Sequence, residues 1–397
     1  MHTPSAVTSG FARFTQEKPS KYLKMACYLI CLLIFTSNVW SMSHWNERRG
    51  VFDDIAYLRQ AHLFQRFGIA GLDTDISHDD DGFFKTAAAE IRHTAWSDPN
   101  APAPFMHTHM PESGKWVLQY PPGTGFMLAL FPAGHQTIGL YVCATLIILV
   151  MSWFAIGLAA TVQTAMLATA FGSAAIYFMI NPAKSSYSVA PTMVLCAFAG
   201  YLTASLFASP KPRERLLLCA SIGLLLGLSV NFRIANVLLI AGYGAVLLTS
   251  FLRERTVANF TAGLTVVVGF LLGTVPTLVA NAINAGSPFA TTYSAVDAVP
   301  PDFSFSITPQ YVTDLQGFLI VLAITWTGWT FFSESGPVAK RVAAVTGLNL
   351  IVNLAFFLSH PIFTPYYLVP IAMLSLWSLL FASLTSHRRS NLMLATP

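Results

Sequence analysis

Ten stretches of this chain are apolar over a length that crosses a bilayer, and that pattern decides most of what it can fold into. Windows of about 20 residues place them near 23–42, 137–158, 162–181, 188–208, 215–231, 234–252, 257–281, 313–333, 342–359 and 364–384. Hydrocarbon offers no partner to backbone N–H and C=O groups, so apolar runs of this kind satisfy their own backbone as helices. Hydrophobic residues make up 54% of the 397, only 10% are charged, and the mean hydropathy is +0.57. A soluble domain is excluded, and the expectation is an all-α polytopic membrane protein with about ten transmembrane helices.

Charge gives the orientation. With the N-terminus inside and spans alternating, the cytoplasmic segments carry Arg13, Lys18, Lys21, Lys24, Lys211, Arg213, Arg215, Arg253, Arg255, Lys340, Arg341, Arg388 and Arg389, more than half of the 22 basic residues. That is the positive-inside bias, and it accounts for the net charge of +4 without a nucleic-acid partner. Short loops on the other side hold Lys184 and Arg233. Of the acids, Glu17, Glu214, Glu254 and Glu334 are inside and all the rest outside. The five cysteines fall within apolar runs with no CxxC spacing, so they read as core residues and not as disulfides or thiolate ligands. The first run is long for a signal peptide and no small-residue cleavage site follows it, so it reads as a retained helix. Residues 1–20 read as a disordered cytoplasmic tail ahead of a transmembrane domain over 21–397.

Within that domain, the outer loop over 43–136 is too long for a connector, and loops of this size carry function. In "RRGVFDDIAYLRQAHLFQRFG", Tyr57, Leu58, Ala61 and Phe64 recur at helical spacing, Arg59, Gln60 and Arg66 lie off that stripe, and Gly68 is a stop. These features predict a short amphipathic helix along the membrane surface, opened by Asp53 and Asp54. The apolar piece "YPPGTGFMLALF" is too short to cross and reads as interfacial or re-entrant.

Two readings of the acid pair stand side by side. Asp at a helix N-terminus stabilises free N–H groups and the dipole by about 1 kcal/mol, and one Asp suffices for that. A carboxylate held just outside the bilayer is also placed to take a proton from a substrate hydroxyl.

A larger pattern surrounds the pair. "FDDIAYL", "YPPG", "MINPAKSSYS", "LLLGLSVNFRIANVLLIAGY", "NAINAGSPFATTYS" and "HPIFTPYYLVPIAML" follow in one order from about residue 25 to 385. The series resembles the GT-C superfamily of integral-membrane glycosyltransferases, which includes protein O-mannosyltransferases and the enzymes that place aminoarabinose or galacturonic acid on lipid A. The resemblance implies a sugar donor linked to polyprenyl phosphate, an envelope acceptor (lipid A, polysaccharide or protein), an extracytoplasmic site facing the periplasm and a location in the inner membrane. It also implies an acid of the first outer loop as general base, at Asp53, with Asp54 where the family often has a second acid that binds metal or orients the acceptor. Polyprenyl phosphate is already a good leaving group, so displacement with inversion needs one base and cations for the departing phosphate, unlike the acid pair of a hydrolase.

Lys115, Lys184 and Arg233 are the candidate phosphate ligands, with Tyr120, His360 and Tyr367 as further substrate-binding candidates and Tyr293 as a residue to face the sugar. Two positions depart from the family pattern: Tyr120 stands where a Lys commonly precedes the proline, and Tyr366 where an Arg commonly precedes the final Tyr. The family sometimes uses a divalent cation, for which "SHDDDG", Asp54, His107 and His109 offer donor atoms. The competing expectation is a transporter or flippase of a lipid-linked sugar. Against ion coupling, no Asp, Glu, Lys or Arg lies at the middle of a span.

Overall fold

The computed structural model describes residues 17–44, 53–84, 86, 106–179, 186–209, 211–293, 300–302, 306, 308–360 and 366–395. Each of the ten apolar runs is helical. They form α1 (Lys21–Ser43), α4 (Gln136–Leu158), α5 (Val162–Phe178), α6 (Val189–Ala208), α7 (Pro212–Val230), α8 (Ala241–Glu254) with the 3-10 turn Ile234–Ile240 before it, α9 (Val257–Ala285), α11 (Leu315–Phe332), α12 (Pro337–Ser359) and α13 (Val369–Ala395). The remaining helices are α2 (Asp53–Phe67), α3 (Gly123–Ala129) and α10 (Thr308–Thr313).

Seven of the helical segments among the described residues are long and apolar enough to cross a membrane: α1, α4, α6, Ile234–Glu254, α9, α11 and α12. Val162–Phe178 and Val369–Thr385 are apolar but shorter, and α7 begins with Arg213, Glu214 and Arg215. The chain is a multi-pass membrane protein. The expected tail falls largely on residues 1–16, outside the described residues. Residues 17–20 are ordered, because the Glu17 carbonyl accepts the Val162 N–H (2.8 Å) and Ser20 caps α1.

α7 and α9 pack backbone against backbone. Gly223 and Gly227 on one meet Gly269 and Gly273 on the other, and a Cβ at any of the four would collide with the opposing backbone. Association in lipid depends on such close approach, since burial of apolar surface offers nothing there. Pro276 interrupts α9 in its C-terminal half, and Asn231 from the end of α7 inserts at that step. Its amide donates to the Gly273 carbonyl (2.7 Å), and its Oδ1 accepts from the Thr277 N–H (2.9 Å) and hydroxyl (2.7 Å). A side chain that satisfies backbone freed by proline is what makes such a helix tolerable in hydrocarbon.

Two features of the outer loop depart from the expectation. Strands β1 (His107–Met110) and β2 (Lys115–Leu118) pair antiparallel, His107 opposite Leu118 and Met110 opposite Lys115, so the outer layer is not wholly helical. α2 ends at Gly68 (φ +60°) as expected but does not lie open on a surface: Arg59 and Gln60, expected off the buried stripe, are 0% and 1% exposed. Arg59 is covered by the acidic turn, with Asp79 at 3.3 Å. Gln60 lies under α3, where Gly125 leaves room for its Cβ, and its amide donates to the Tyr120 carbonyl (2.8 Å). α3, only seven residues long, is too short to span, as expected of "YPPGTGFMLALF".

Candidate functional site

The two aspartates that open α2 face different partners. Asp54 is 2% exposed, and its Oδ1 accepts the Tyr187 N–H (3.1 Å), tying α2 to the start of α6. Asp53 is half-buried, and both its oxygens accept from phenols: Tyr120 donates to Oδ1 at 3.1 Å and Tyr366 to Oδ2 at 2.6 Å. The partners are 67 and 313 residues away, so Asp53 is a tertiary junction as well as a first-turn acid of α2.

Around this carboxylate the chain gathers tyrosines. The Tyr57 and Tyr120 rings lie 5.0 Å apart, Tyr120 and Tyr293 6.0 Å, and Tyr366 and Tyr367 5.6 Å. Arg233 completes the cluster, its guanidinium 3.8 Å from the centre of the Tyr367 ring and 4.8 Å from that of Tyr366, a cation–π arrangement on both. Its Nη1 is buried without a hydrogen-bond partner. Burial, followed by the Asp53 charge, raises the phenols of Tyr120, Tyr366 and Tyr57 above the ordinary range; burial and then Tyr57 do the same for Tyr293. These phenols are neutral donors at physiological pH, and among the described residues the acid and base of the cluster are Asp53 and Arg233.

Each segment of the cluster is tied down by a polar side chain. Gln60 holds the Tyr120 carbonyl, and the Thr292 hydroxyl holds the Gln119 carbonyl at 2.9 Å. Gln316 at the start of α11 accepts the Leu368 N–H at 2.9 Å, beside Tyr366 and Tyr367. Asn231 fixes the chain two residues before Arg233, and its carbonyl accepts the Gly123 N–H (2.8 Å), which joins the "YPPG" turn to the "NFR" turn. Rigid neighbours of this kind hold a site to the tolerance chemistry needs.

An apolar cavity of about 640 Å³ opens next to this junction, lined among others by Phe64, Ile69, Phe126, Leu130, Phe232 and Pro276. Phe232 and Asn231 of the "NFR" turn line it, while Arg233 and Asp53 themselves do not.

Other candidates are placed elsewhere. Lys115 pairs with Asp73 (2.7 Å) and donates to the Ile283 carbonyl (3.1 Å), the second bond fastening the hairpin to α9. The His360 ring stacks on Phe356 (4.2 Å), with Nδ1 at 2.6 Å from the Phe356 carbonyl on its own helix. Lys184 lies outside the described residues. Metal donors do not converge: among the described residues no three His, Cys, Asp or Glu side chains group to hold an ion. His107 packs on Phe84, His109 on Trp116, and Asp54 on the Tyr187 amide. The acids of the "SHDDDG" run clasp α2: Arg66 binds Asp80, His62 binds Asp81 at 2.6 Å, and Arg59 faces Asp79.

Sequence reasoning singled out Asp53, Arg233, Tyr120, Tyr293 and Tyr367 but assigned Tyr57 and Tyr366 no role beyond their motifs. For Tyr57 the available signal was its place one turn after Asp53 on the same helix; for Tyr366 it was the departure from the family pattern itself. No family model, no curated protein and no solved structure matches the chain.

Proposed function

We propose that the chain is a glycosyltransferase that moves a sugar from a polyprenyl-phosphate donor to an envelope acceptor on the extracytoplasmic face of the inner membrane. On this reading all ten apolar helices cross the bilayer. The observation that carries it is a half-buried carboxylate, Asp53, and a guanidinium, Arg233, with a buried nitrogen that has no hydrogen-bond partner, both in contact with Tyr366.

That set matches the parts of the reaction. The acceptor hydroxyl attacks the anomeric carbon, a new glycosidic C–O bond forms, and the bond from that carbon to the phosphate oxygen breaks with inversion. The hydroxyl proton goes to Asp53, and the bonding pair leaves on the polyprenyl phosphate, whose charge Arg233 meets. The prenyl chain occupies the cavity lined by Phe126 and Phe232, and Tyr293 and Tyr57 line the sugar's space.

The test is deletion of the gene in its host, complementation with wild type or with Asp53→Asn, and mass spectrometry of lipid A and other envelope glycans. The expected result is a sugar-sized mass lost on deletion and restored by wild type alone. Restoration by a normally expressed Asp53→Asn would return the pair to a helix-capping role. An unchanged set of glycans together with uptake of a lipid-linked sugar into sealed vesicles would favour the flippase.

A further inference from the structure

The two phenols on Asp53 are not equivalent. Tyr366 has a short bond, 2.6 Å, to Oδ2, and its ring is held face-on by Arg233. Its backbone neighbourhood is fixed by Gln316 through Leu368. Tyr120 has the longer bond, 3.1 Å, to Oδ1. Its hydroxyl also lies 3.1 Å from the Met106 sulfur, a second acceptor for the same single proton, and it accepts from the Gln119 amide at 3.1 Å. A phenol with one strong acceptor orients the carboxylate, whereas one that divides its proton between two acceptors is readily displaced.

We propose that Tyr366 is the positioning residue of Asp53 and that Tyr120 is a place-holder, its hydroxyl occupying at Oδ1 the position that the acceptor hydroxyl takes in the reaction. This rests on the reading of Asp53 as general base. Tyr366 fixes the plane of the carboxylate, so that when Tyr120 swings to its alternative partners, Met106 and Gln119, Oδ1 is left aimed at the incoming hydroxyl. The acceptor then meets a carboxylate already oriented, and the Tyr120 phenol keeps a hydrogen-bond partner instead of being stranded in a buried place.

The experiment is infrared spectroscopy of the full chain in lipid nanodiscs at neutral pH, with the Asp53 carboxylate band identified by its loss in Asp53→Asn. Tyr366→Phe is expected to shift that band further than Tyr120→Phe. 3-Fluorotyrosine at 366, which retains the bond and makes the phenol a stronger donor, is expected to shift it in the opposite direction, so a folding defect in Tyr366→Phe leaves the proposal testable. Glycerol, as a hydroxyl probe, is expected to perturb the band at a lower concentration in Tyr120→Phe than in wild type. Equal shifts from the two phenylalanine variants, or no difference with glycerol, overturn the assignment.

In the transfer reaction Tyr366→Phe lowers kcat by about 10- to 100-fold with little change in acceptor KM, and Tyr120→Phe lowers acceptor KM several-fold. A matching fall of kcat in both variants contradicts the division of roles. The infrared readout does not depend on transfer, so failure of the glycosyltransferase reading and failure of this one are separable.

Discussion

At the scale of the residue, the described part of the site is one carboxylate and one guanidinium among phenols. Among the described residues the direct side-chain partners of Asp53 are the phenols of Tyr120 and Tyr366, and no cation pairs with it. Replacing Asp53 by Asn keeps its shape and one acceptor oxygen, enough for the bond from Tyr366 while Tyr120 turns its proton to Met106, but removes its basicity. Transfer is expected to fall by about 10²–10⁴-fold, measured as initial rate in proteoliposomes supplied with donor and acceptor, while the melting temperature of the solubilised protein changes little. Arg233 carries a stricter geometric demand, because its planar guanidinium stacks on Tyr366 and Tyr367 while leaving Nη1 free. Lysine has neither the plane nor the second nitrogen. Arg233→Lys is therefore expected to behave nearly as badly as Arg233→Ala, each losing about 10²–10³-fold in kcat; recovery of most of the rate by Lys would show that only a point charge is required.

At the scale of the element, the site stands on the α7–α9 pair and on the acidic clasp. Asn231 takes both backbone partners at the step after Pro276. Asn231→Ala strands a buried N–H and a buried C=O and is expected to cost about 1–3 kcal/mol for each unpaired group, read as a lowered melting temperature in detergent, with loss of transfer because Arg233 is two residues along. Gly227→Val drives a side chain into the Phe270 carbonyl and is expected to separate the pair outright, whereas substitution at Gly244, which faces open space, is the matched control.

The clasp is governed by charge. The Arg66 hydrogen bond holds the Asp80 carboxyl down at about 2, and the His62 hydrogen bond holds Asp81 below its ordinary value. Depressed carboxyl values mean that the clasp is at full strength above about pH 4 and is lost as pH falls toward 2. Amide exchange at Asp79–Phe84 is accordingly expected to stay protected from pH 7 to 5 and to open between about pH 4 and 2; opening already near pH 6 would show that these carboxylates do not control the clasp.

At the scale of the whole molecule, what was legible in the sequence follows from how long each signal is. Some twenty apolar residues in a row have one solution in lipid, so each of the ten runs reads as a helix from its length and composition alone. β1 and β2 are four residues each, "HTHM" and "KWVL", too short for alternation to stand out. The burial of Arg59 depends on Asp79, brought over it by a turn that its own helix does not encode. Asp53 and Arg233 were visible as charges spent on the outer face, but the cluster was not, because Tyr57, Tyr120, Tyr293 and Tyr366 come from four distant segments and meet only through packing. What joins these scales is orientation: a site built from Asp53, the "YPPG" turn, the "NFR" turn and the last helix entry has to lie on one side of the membrane, and the basic residues of the opposite loops have to lie on the other. Cysteines introduced at Ser77 in the clasp and at Arg213 at the start of α7, both exposed, separate the two faces. With a membrane-impermeant maleimide on sealed cells, Ser77→Cys is expected to label at once and Arg213→Cys only after lysis. Labelling of both in sealed cells would break the alternation on which a single extracytoplasmic site depends, and the Asp53 carboxylate would then have to be reassigned to a different face or a different task.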